Sequence, residues 1–375
     1  MKPKLQPTII ALLFAATLAV VSPLLIAPVH AAGFGIEVVI QNVDLPWSLN
    51  FAPDGRLLFT SRDTGEIHAL NVETAELTTF TPALPILSGG EGGLLGMALD
   101  PEFEATNWLY VCYSVAYDGK EVNRVSRLRL DGTQLKDERV LIEMGHARIH
   151  NGCRLVFSPD GEHLFITMGD AANADRAQDL GSLNGKILRL KRDGNIPDDN
   201  PWPGSAIWTL GHRNPQGLAF EPGTGRLWST EHGPNTQDEL NVIKKGRNYG
   251  WPQCLGVEPC PAVTDYEPAV REFYANETVA TSDMLFYTGN AFPEWRGDLF
   301  FVTLKTGRLY HLEVSGETVL SEEWLIDNEY GRLRDVVEGP DGLIYISTDA
   351  RDGKAKIFRL KPLAQQLFMP VVAVS

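Results

Sequence analysis

Between Leu210 and Pro252 the chain reads LGHRNPQGLAF and, after a short spacer, TEHGPNTQDELNVIKKGRNYGWP. Arg213, Asn214 and Gln216 are a forked cation followed by two amides, groups that hold an oxyanion-rich ligand. Asp238 and Glu239, with the turn carbonyls of Gly233 and Pro234, are hard oxygen donors suited to Ca²⁺. An anion clamp beside a cation site points to a bound, negatively charged cofactor. Plainer readings stay open: Arg213 can form a salt bridge, Asn214 before Pro215 can set an extended turn, and Asp238, Glu239 and Tyr249 can be a solvated turn.

His150 closes the segment GHARIHNGC, just before a stretch that should open a strand. Such a histidine is either a hydrogen-bonded structural residue or, facing an anion clamp, a general base for an alcohol proton. Other motifs fail. GGEGGLLG from Gly89 carries Leu95 where GxGxxG needs its last glycine, GSLNGK from Gly181 is one residue short of a P-loop, and Asp238 and Glu239 do not make an EF-hand loop. No cysteine stands in a CxxCH haem motif.

The elements that must position these residues repeat. An apolar strand, a turn of the Pro-Asp-Gly kind and a second apolar strand occur as WSLNFAPDGRLLFTS from Trp47, GLLGMALDPEFEATNWLYVCYS from Gly93 and RLVFSPDGEHLFITMGD from Arg154. They return as GLAFEPGTGRLWSTEHG from Gly217, MLFYTGNAFPEWRGDLFFVTL from Met284 and DVVEGPDGLIYISTDA from Asp335. Alternating apolar residues around such turns are a hairpin signal, and no long segment has a helical period. Spacings of roughly 45 to 65 residues fit one four-stranded propeller blade per repeat, with GEIHAL, SRLRL, KILRL, GRLYHL and KIFRL among the remaining strands. The expected fold is all-β, a six-bladed β-propeller of four-stranded antiparallel blades, with a sandwich as its competitor. In a propeller the loops of one face converge over the central channel, so Lys305, Arg332 and Arg334, at similar points of the fifth and sixth repeats, join the clamp. Convergent cations in an acidic protein favour a polycarboxylate or phosphate ligand.

At the N-terminus, Lys2 and Lys4 precede an apolar run from Ile9 and small residues around Ala31, the pattern of a secretory leader over 1–31. An uncleaved anchor is the alternative, but Ser22, Pro23 and Pro28 interrupt the apolar stretch, and no later segment would cross a bilayer. The propeller then occupies 32–364 and a short tail 365–375. The formal charge of −15, more negative still without the leader's lysines, repels phosphate backbones and argues against a nucleic-acid partner. Export to the periplasm or beyond makes disulfides available. Cys254 and Cys260 flank a short Gly and Pro loop and are the better pair, whereas Cys112 and Cys153 either pair or stay free.

Taken together, these segments resemble the soluble pyrroloquinoline quinone (PQQ) dependent aldose sugar dehydrogenases, the glucose/sorbosone dehydrogenase family. The resemblance runs from PWSLNFAPDGRLL to RLRDVVEGPDGLIYISTD and is most specific in LGHRNPQGLAF and EHGPNTQDELNVIKKGRNYGWP. It implies a six-bladed propeller that oxidises the C1 hydroxyl of an aldose to a lactone, with His150 as the base that takes the hydroxyl proton while hydride passes to the quinone. It implies PQQ contacts at Arg213, Asn214, Gln216, Lys305, Arg332 and Arg334, Arg213 also polarising the quinone for hydride acceptance, and a further cofactor-side position at Asp349. The cofactor's Ca²⁺ would be held by the carbonyls of Gly233 and Pro234, and a second, structural Ca²⁺ would involve Asp238, Glu239 and Tyr249. The implied partners are an aldose and an electron acceptor such as a quinone, cytochrome or dye, with the protein a monomer or homodimer. The chain departs from the family pattern in three places. Glu91 stands where a cofactor-contacting Gln is usual, and Ile149 stands where an acidic residue precedes the catalytic histidine, so carboxylate support for His150 must come from elsewhere. VATSDMLFY replaces the usual segment before the fifth repeat. Two other functions compete: a calcium-dependent lactonase on the same fold and a non-catalytic binding propeller.

Overall fold

In the computed structural model, which describes residues 33–274, 278–350 and 354–363, each copy of the repeat forms the two inner strands of one blade. The proposed leader and tail lie outside the described residues. After β1 (Phe34–Val43), the first blade comprises β2 (Pro46–Phe51), β3 (Leu57–Ser61), β4 (Ile67–Leu70) and β5 (Leu77–Phe80). The second holds β6 (Leu94–Leu99), β7 (Trp108–Tyr117), β8 (Lys120–Asp131) and β9 (Gln134–Gly145), and the third β10 (Leu155–Phe157), β11 (His163–Met168), β12 (Lys186–Lys191) and β13 (Ile207–Leu210). The fourth contains β14 (Pro215–Phe220), β15 (Leu227–Glu231), β16 (Asp238–Ile243) and β17 (Arg271–Phe273), and the fifth β18 (Thr281–Phe286), β19 (Leu299–Thr303), β20 (Arg308–Ser315) and β21 (Thr318–Asp327). The last is β22 (Leu333–Glu338), β23 (Ile344–Thr348) and β24 (Ala355–Pro362), completed by β1.

The hairpin turns explain why the repeat folds locally. In the Asp-Gly turns, Asp54, Asp160 and Asp341 each accept through Oδ1 the backbone N–H two residues on, at 3.1, 3.0 and 3.1 Å. The intervening Gly55, with φ 85°, takes the left-handed conformation the turn needs. Within each of the six sheets the strands are antiparallel and ordered from the axis outward. The sixth sheet combines the two ends of the chain. β1 pairs with β24, from Phe34 opposite Pro362 to Val43 opposite Ala355, so hydrogen bonds close the ring and no inter-blade gap is left.

The innermost strands β2, β6, β10, β14, β18 and β22 pack on one another in sequence, with β22 returning to β2. The hydrophobic core is layered between the blades. Leu58, Phe80, Met97 and Tyr113 pack between the first and second; Tyr110, Leu164, Ile166 and Leu188 lie between the second and third; Trp228, Leu240, Phe273 and Phe301 fill the fourth to fifth interface.

Asp238–Ile243, first considered for its carboxylates, is a fully buried third strand. Both cysteine pairs are bonded: Cys254 with Cys260, and Cys112 on β7 with Cys153, three residues after His150. The second bond ties the His150 segment to the neighbouring blade. Because the innermost strands run the same way around the ring, the loops leading into them and those joining each blade's second and third strands open on one face.

Candidate functional site

On that face a cavity of about 230 Å³ sits over the channel. Its wall includes Glu91, His150, Arg213, Asn214, Gln216, Gly233, Pro234, Lys305, Arg332 and Arg334, ten of the positions singled out in the sequence. Each comes from the topological station the fold predicts. Glu91, His150, Arg213 and Arg332 lie in loops entering β6, β10, β14 and β22, while Gly233 and Pro234 join β15 to β16 and Lys305 joins β19 to β20.

His150 is held as a base would need to be. Its Nδ1 lies 2.8 Å from Asp170 Oδ1, and Asp170 is only 2% exposed. Asp170 also accepts the Ala172 N–H at 2.9 Å and, through Oδ2, the Trp251 indole N–H at 2.9 Å. The carboxylate support for His150, absent at Ile149, therefore comes from the loop after β11. Donation by Nδ1–H to that carboxylate leaves Nε2 as the basic nitrogen.

Two of the wall's arginines, Arg213 and Arg334, are desolvated, while Lys305 is exposed. Burial pulls the Arg213 guanidinium below its usual pKa against the opposing pull of Asp170 and Glu231. The Arg213 side chain donates to His232 O at 3.2 Å and lies 5.5 Å from the Trp251 ring centroid. Burial likewise lowers Arg334, which Asp349 counters through a tight pair with both Nε and Nη2. Burial alone would raise the Asp349 carboxyl, but Arg334 and Arg332 hold it far below the usual carboxylate range. Asp349 thus stands behind the two arginines, outside the cavity wall.

Arg62 adds a fifth cation to Arg213, Lys305, Arg332 and Arg334 around the cavity, against Glu91 as the carboxylate in its wall. Beside them, the buried Nδ2 of Asn214 has no hydrogen-bond partner while its Oδ1 accepts from Gln216 Nε2 at 3.1 Å. An unpaired buried donor beside converging cations suits a polyanionic ligand.

The residues proposed for a second calcium are not gathered at one point. Asp238 accepts from Gly233 N–H at 2.9 Å, from Ala280 N–H at 2.7 Å and from the Thr278 hydroxyl, so it shapes the Gly233 and Pro234 turn from behind. Glu239, the next residue along β16, faces the other side of the sheet, accepting from Gly256 N–H at 2.6 Å and Asn241 Nδ2 at 3.1 Å. Burial, and then the Glu231 carboxylate on the paired strand, raise its pKa to about 8. The Tyr249 hydroxyl donates to Val242 O at 2.6 Å and accepts from Lys244 N–H at 2.9 Å. Among the described residues no group of three or more His, Cys, Asp or Glu side chains is arranged to hold a metal ion. A cation at the cavity would rely on carbonyl oxygens such as those of Gly233 and Pro234, and on the bound ligand.

Sequence reasoning missed Asp170, Trp251, Arg62 and His232. A signal existed for two of them. Asp170 follows the second strand of the third repeat (ITMGD) as Asp349 follows that of the sixth (ISTD), and Arg62 ends the first repeat in the same way.

The glucose/sorbosone dehydrogenase family model matches residues 43–359, nearly the whole propeller. The aldose sugar dehydrogenase of Escherichia coli (strain K12) is 34% identical over 345 residues, covering 86% of this chain and 92% of its own. The crystal structure of a Thermus thermophilus oxidoreductase described as a glucose dehydrogenase superposes with a TM-score of 0.79 at 36% identity, covering 88% of this chain and all of the other. The PQQ-bound aldose sugar dehydrogenase of Streptomyces coelicolor does so with a TM-score of 0.77 at 31% identity, covering 88% of this chain and 98% of its own. Fold and similarity define the class as propeller oxidoreductases acting on CH–OH donors. The chain belongs to the glucose/sorbosone dehydrogenase family.

Proposed function

We propose that this protein oxidises the C1 hydroxyl of aldoses to lactones with PQQ and Ca²⁺ held in the cavity. The observation that carries this reading is the combination of five converging cations and the unpaired Asn214 Nδ2 with a carboxylate-backed histidine in the same wall. PQQ, when bound, supplies a two-electron acceptor with three carboxylates, and Ca²⁺ polarises its quinone.

The chain's own residues do the rest. Arg213, Lys305, Arg332 and Arg334 neutralise the carboxylates, Arg213 also polarising the quinone, and Asn214 and Gln216 orient the ring system. The Gly233 and Pro234 carbonyls offer oxygen ligands to Ca²⁺, on a turn pinned by Asp238. His150 Nε2 accepts the C1 hydroxyl proton, and Asp170 stabilises the imidazolium that results, a contribution of roughly a hundred- to ten-thousand-fold. Glu239 and Tyr249 serve a structural Ca²⁺ only if their present partners are exchanged for the ion.

The leader-like pattern of residues 1–31 and the two disulfides support a periplasmic or secreted location. No helix among the described residues is long and apolar enough to cross a membrane. The lactonase reading lacks the cage of carboxylates it needs among those residues. Purified protein, loaded with PQQ and Ca²⁺ and offered a panel of aldoses with a redox dye, should reduce the dye and accumulate lactone. Absence of both tight quinone binding and dye reduction would overturn the proposal.

A further inference from the structure

Glu91 is a carboxylate in a wall otherwise rich in cations, set in a glycine-rich segment that matches no nucleotide motif. Its Oε2 accepts the backbone N–H of His150 at 2.6 Å, and its own N–H donates to Arg148 O at 2.8 Å. The segment therefore lies directly along the chain that presents His150.

That contact matters because His150 has φ 61°, in the left-handed region, where a residue with a Cβ is strained. Such a conformation persists where surrounding contacts over-determine it. Around His150 they do: Glu91 takes its N–H, Ala171 N–H donates to its carbonyl at 3.2 Å, and Asp170 takes Nδ1 at 2.8 Å. Two neighbouring glycines make the approach feasible. A Cβ on Gly90 would overlap the Arg148 carbonyl oxygen, and one on Gly93 the Arg62 carbonyl oxygen. Both also have positive φ, so the segment closes on Arg148 at Gly90 and on Arg62 at Gly93 only with glycine there.

We propose that Glu91 is a positioning residue for His150, and that the glycine-rich segment from Gly89 to Gly93 is the strap that delivers its carboxylate to the His150 backbone. Its consequence for turnover rests on the dehydrogenase reading; its geometry does not. The proposal also accounts for Glu where a Gln is usual, since either side chain offers an acceptor oxygen to the same N–H.

The test compares Glu91→Gln, which keeps the acceptor, with Glu91→Met, which keeps the length without it. In the cofactor-free protein, ¹H–¹⁵N spectra of ¹⁵N-histidine report the His150 imidazole, assigned by its disappearance in His150→Ala. E91Q is expected to retain the wild-type His150 signature, its hydrogen-bonded Nδ1 proton included, and E91M to lose it. In the loaded enzyme, E91M is expected to lower kcat roughly ten- to hundred-fold, the effect of leaving the His150 N–H without its acceptor, with sugar KM little changed and E91Q close to wild type. A wild-type signature and kcat in E91M overturn the proposal. So does E91Q behaving like E91M, or an E91M defect confined to PQQ affinity. Should E91M fail to fold, Glu91→Asp withdraws the carboxylate by one methylene; a changed His150 signature there supports the strap and an unchanged one overturns it. If the wild type oxidises no aldose, the functional reading fails while the imidazole spectra still decide the strap.

Discussion

Replacing Asp170 by Asn changes one atom in the support of His150, and its consequences follow from three hydrogen bonds. Asp170 Oδ1 receives His150 Nδ1–H at 2.8 Å and Ala172 N–H at 2.9 Å, while Oδ2 receives the Trp251 indole N–H at 2.9 Å. An amide has one acceptor oxygen for these two stations. If its oxygen stays toward His150, its NH₂ opposes the indole N–H. If it turns around, its NH₂ opposes the Ala172 N–H and donates to Nδ1, which moves the imidazole proton to Nε2 and blocks the basic nitrogen. Either way the imidazolium formed on proton transfer loses its counter-ion. The expected fall in kcat spans roughly 10²- to 10⁴-fold, the range of a positioned general base, or about 3 to 5 kcal/mol of barrier. Steady-state dye reduction with PQQ- and Ca²⁺-loaded protein gives kcat and KM across pH, and a separate fluorescence titration gives PQQ affinity. A kcat within about threefold of wild type, or a loss found wholly in PQQ affinity, would refute the assignment of His150 and Asp170 as the proton-accepting pair.

Other residues give equally direct checks. Asn214→Ala removes the unpaired Nδ2 and should weaken PQQ binding about ten- to hundred-fold by equilibrium titration while leaving the melting temperature near wild type; unchanged affinity would take Asn214 out of the cofactor site. For His311, burial lowers the pKa, but Asp298 and Glu323, each 2.8 Å from a ring nitrogen, outweigh it and raise the pKa overall. The folded state thus binds the proton more tightly than the unfolded chain, so this stabilisation is complete below about pH 6 and fades as pH rises through the folded pKa. His311→Gln should cost about 1–3 kcal/mol at pH 6 and distinctly less near pH 9 in denaturant unfolding, and an equal cost at both would contradict the pairing. The Cys112–Cys153 bond spans 41 residues and the Cys254–Cys260 bond 6. Loop-closure entropy makes removal of the first, by paired serine substitutions, cost about 4 kcal/mol against about 2 for the second, an order that unfolding curves would show reversed if local packing dominated.

The blades were legible because their signals are local. Asp54, Asp160 and Asp341 bond N–H groups two residues away, and the apolar alternation on either side needs no distant partner to be recognised. The strand Asp238–Ile243 was obscured because its two leading carboxylates drew attention as ligands, yet one is buried against Ala280 and the other against Gly256. β1 was overlooked as a blade strand because its partner, β24, lies at the opposite end of the described chain.

For the site, residue type and spacing along the chain were enough to select His150, Arg213, Asn214, Gln216, Lys305, Arg332 and Arg334, since forked cations, amides and an imidazole announce their chemistry wherever they stand. Their placement in one cavity wall, and the groups that tune them, depend on the closed ring. Asp170 reaches His150 from the loop after β11, Trp251 reaches Asp170 from 81 positions further along, and Glu91 holds the His150 backbone from a loop 59 positions earlier. The hairpins and the kinds of chemistry on offer can be read from the amino-acid order, because both reside in single residues and short-range hydrogen bonds. Which carboxylate supports the histidine, which straps its backbone and which merely shapes a turn emerges from the folded ring alone. Those roles depend on burial and on angstrom-scale approach between blades, and neither is encoded at any one position.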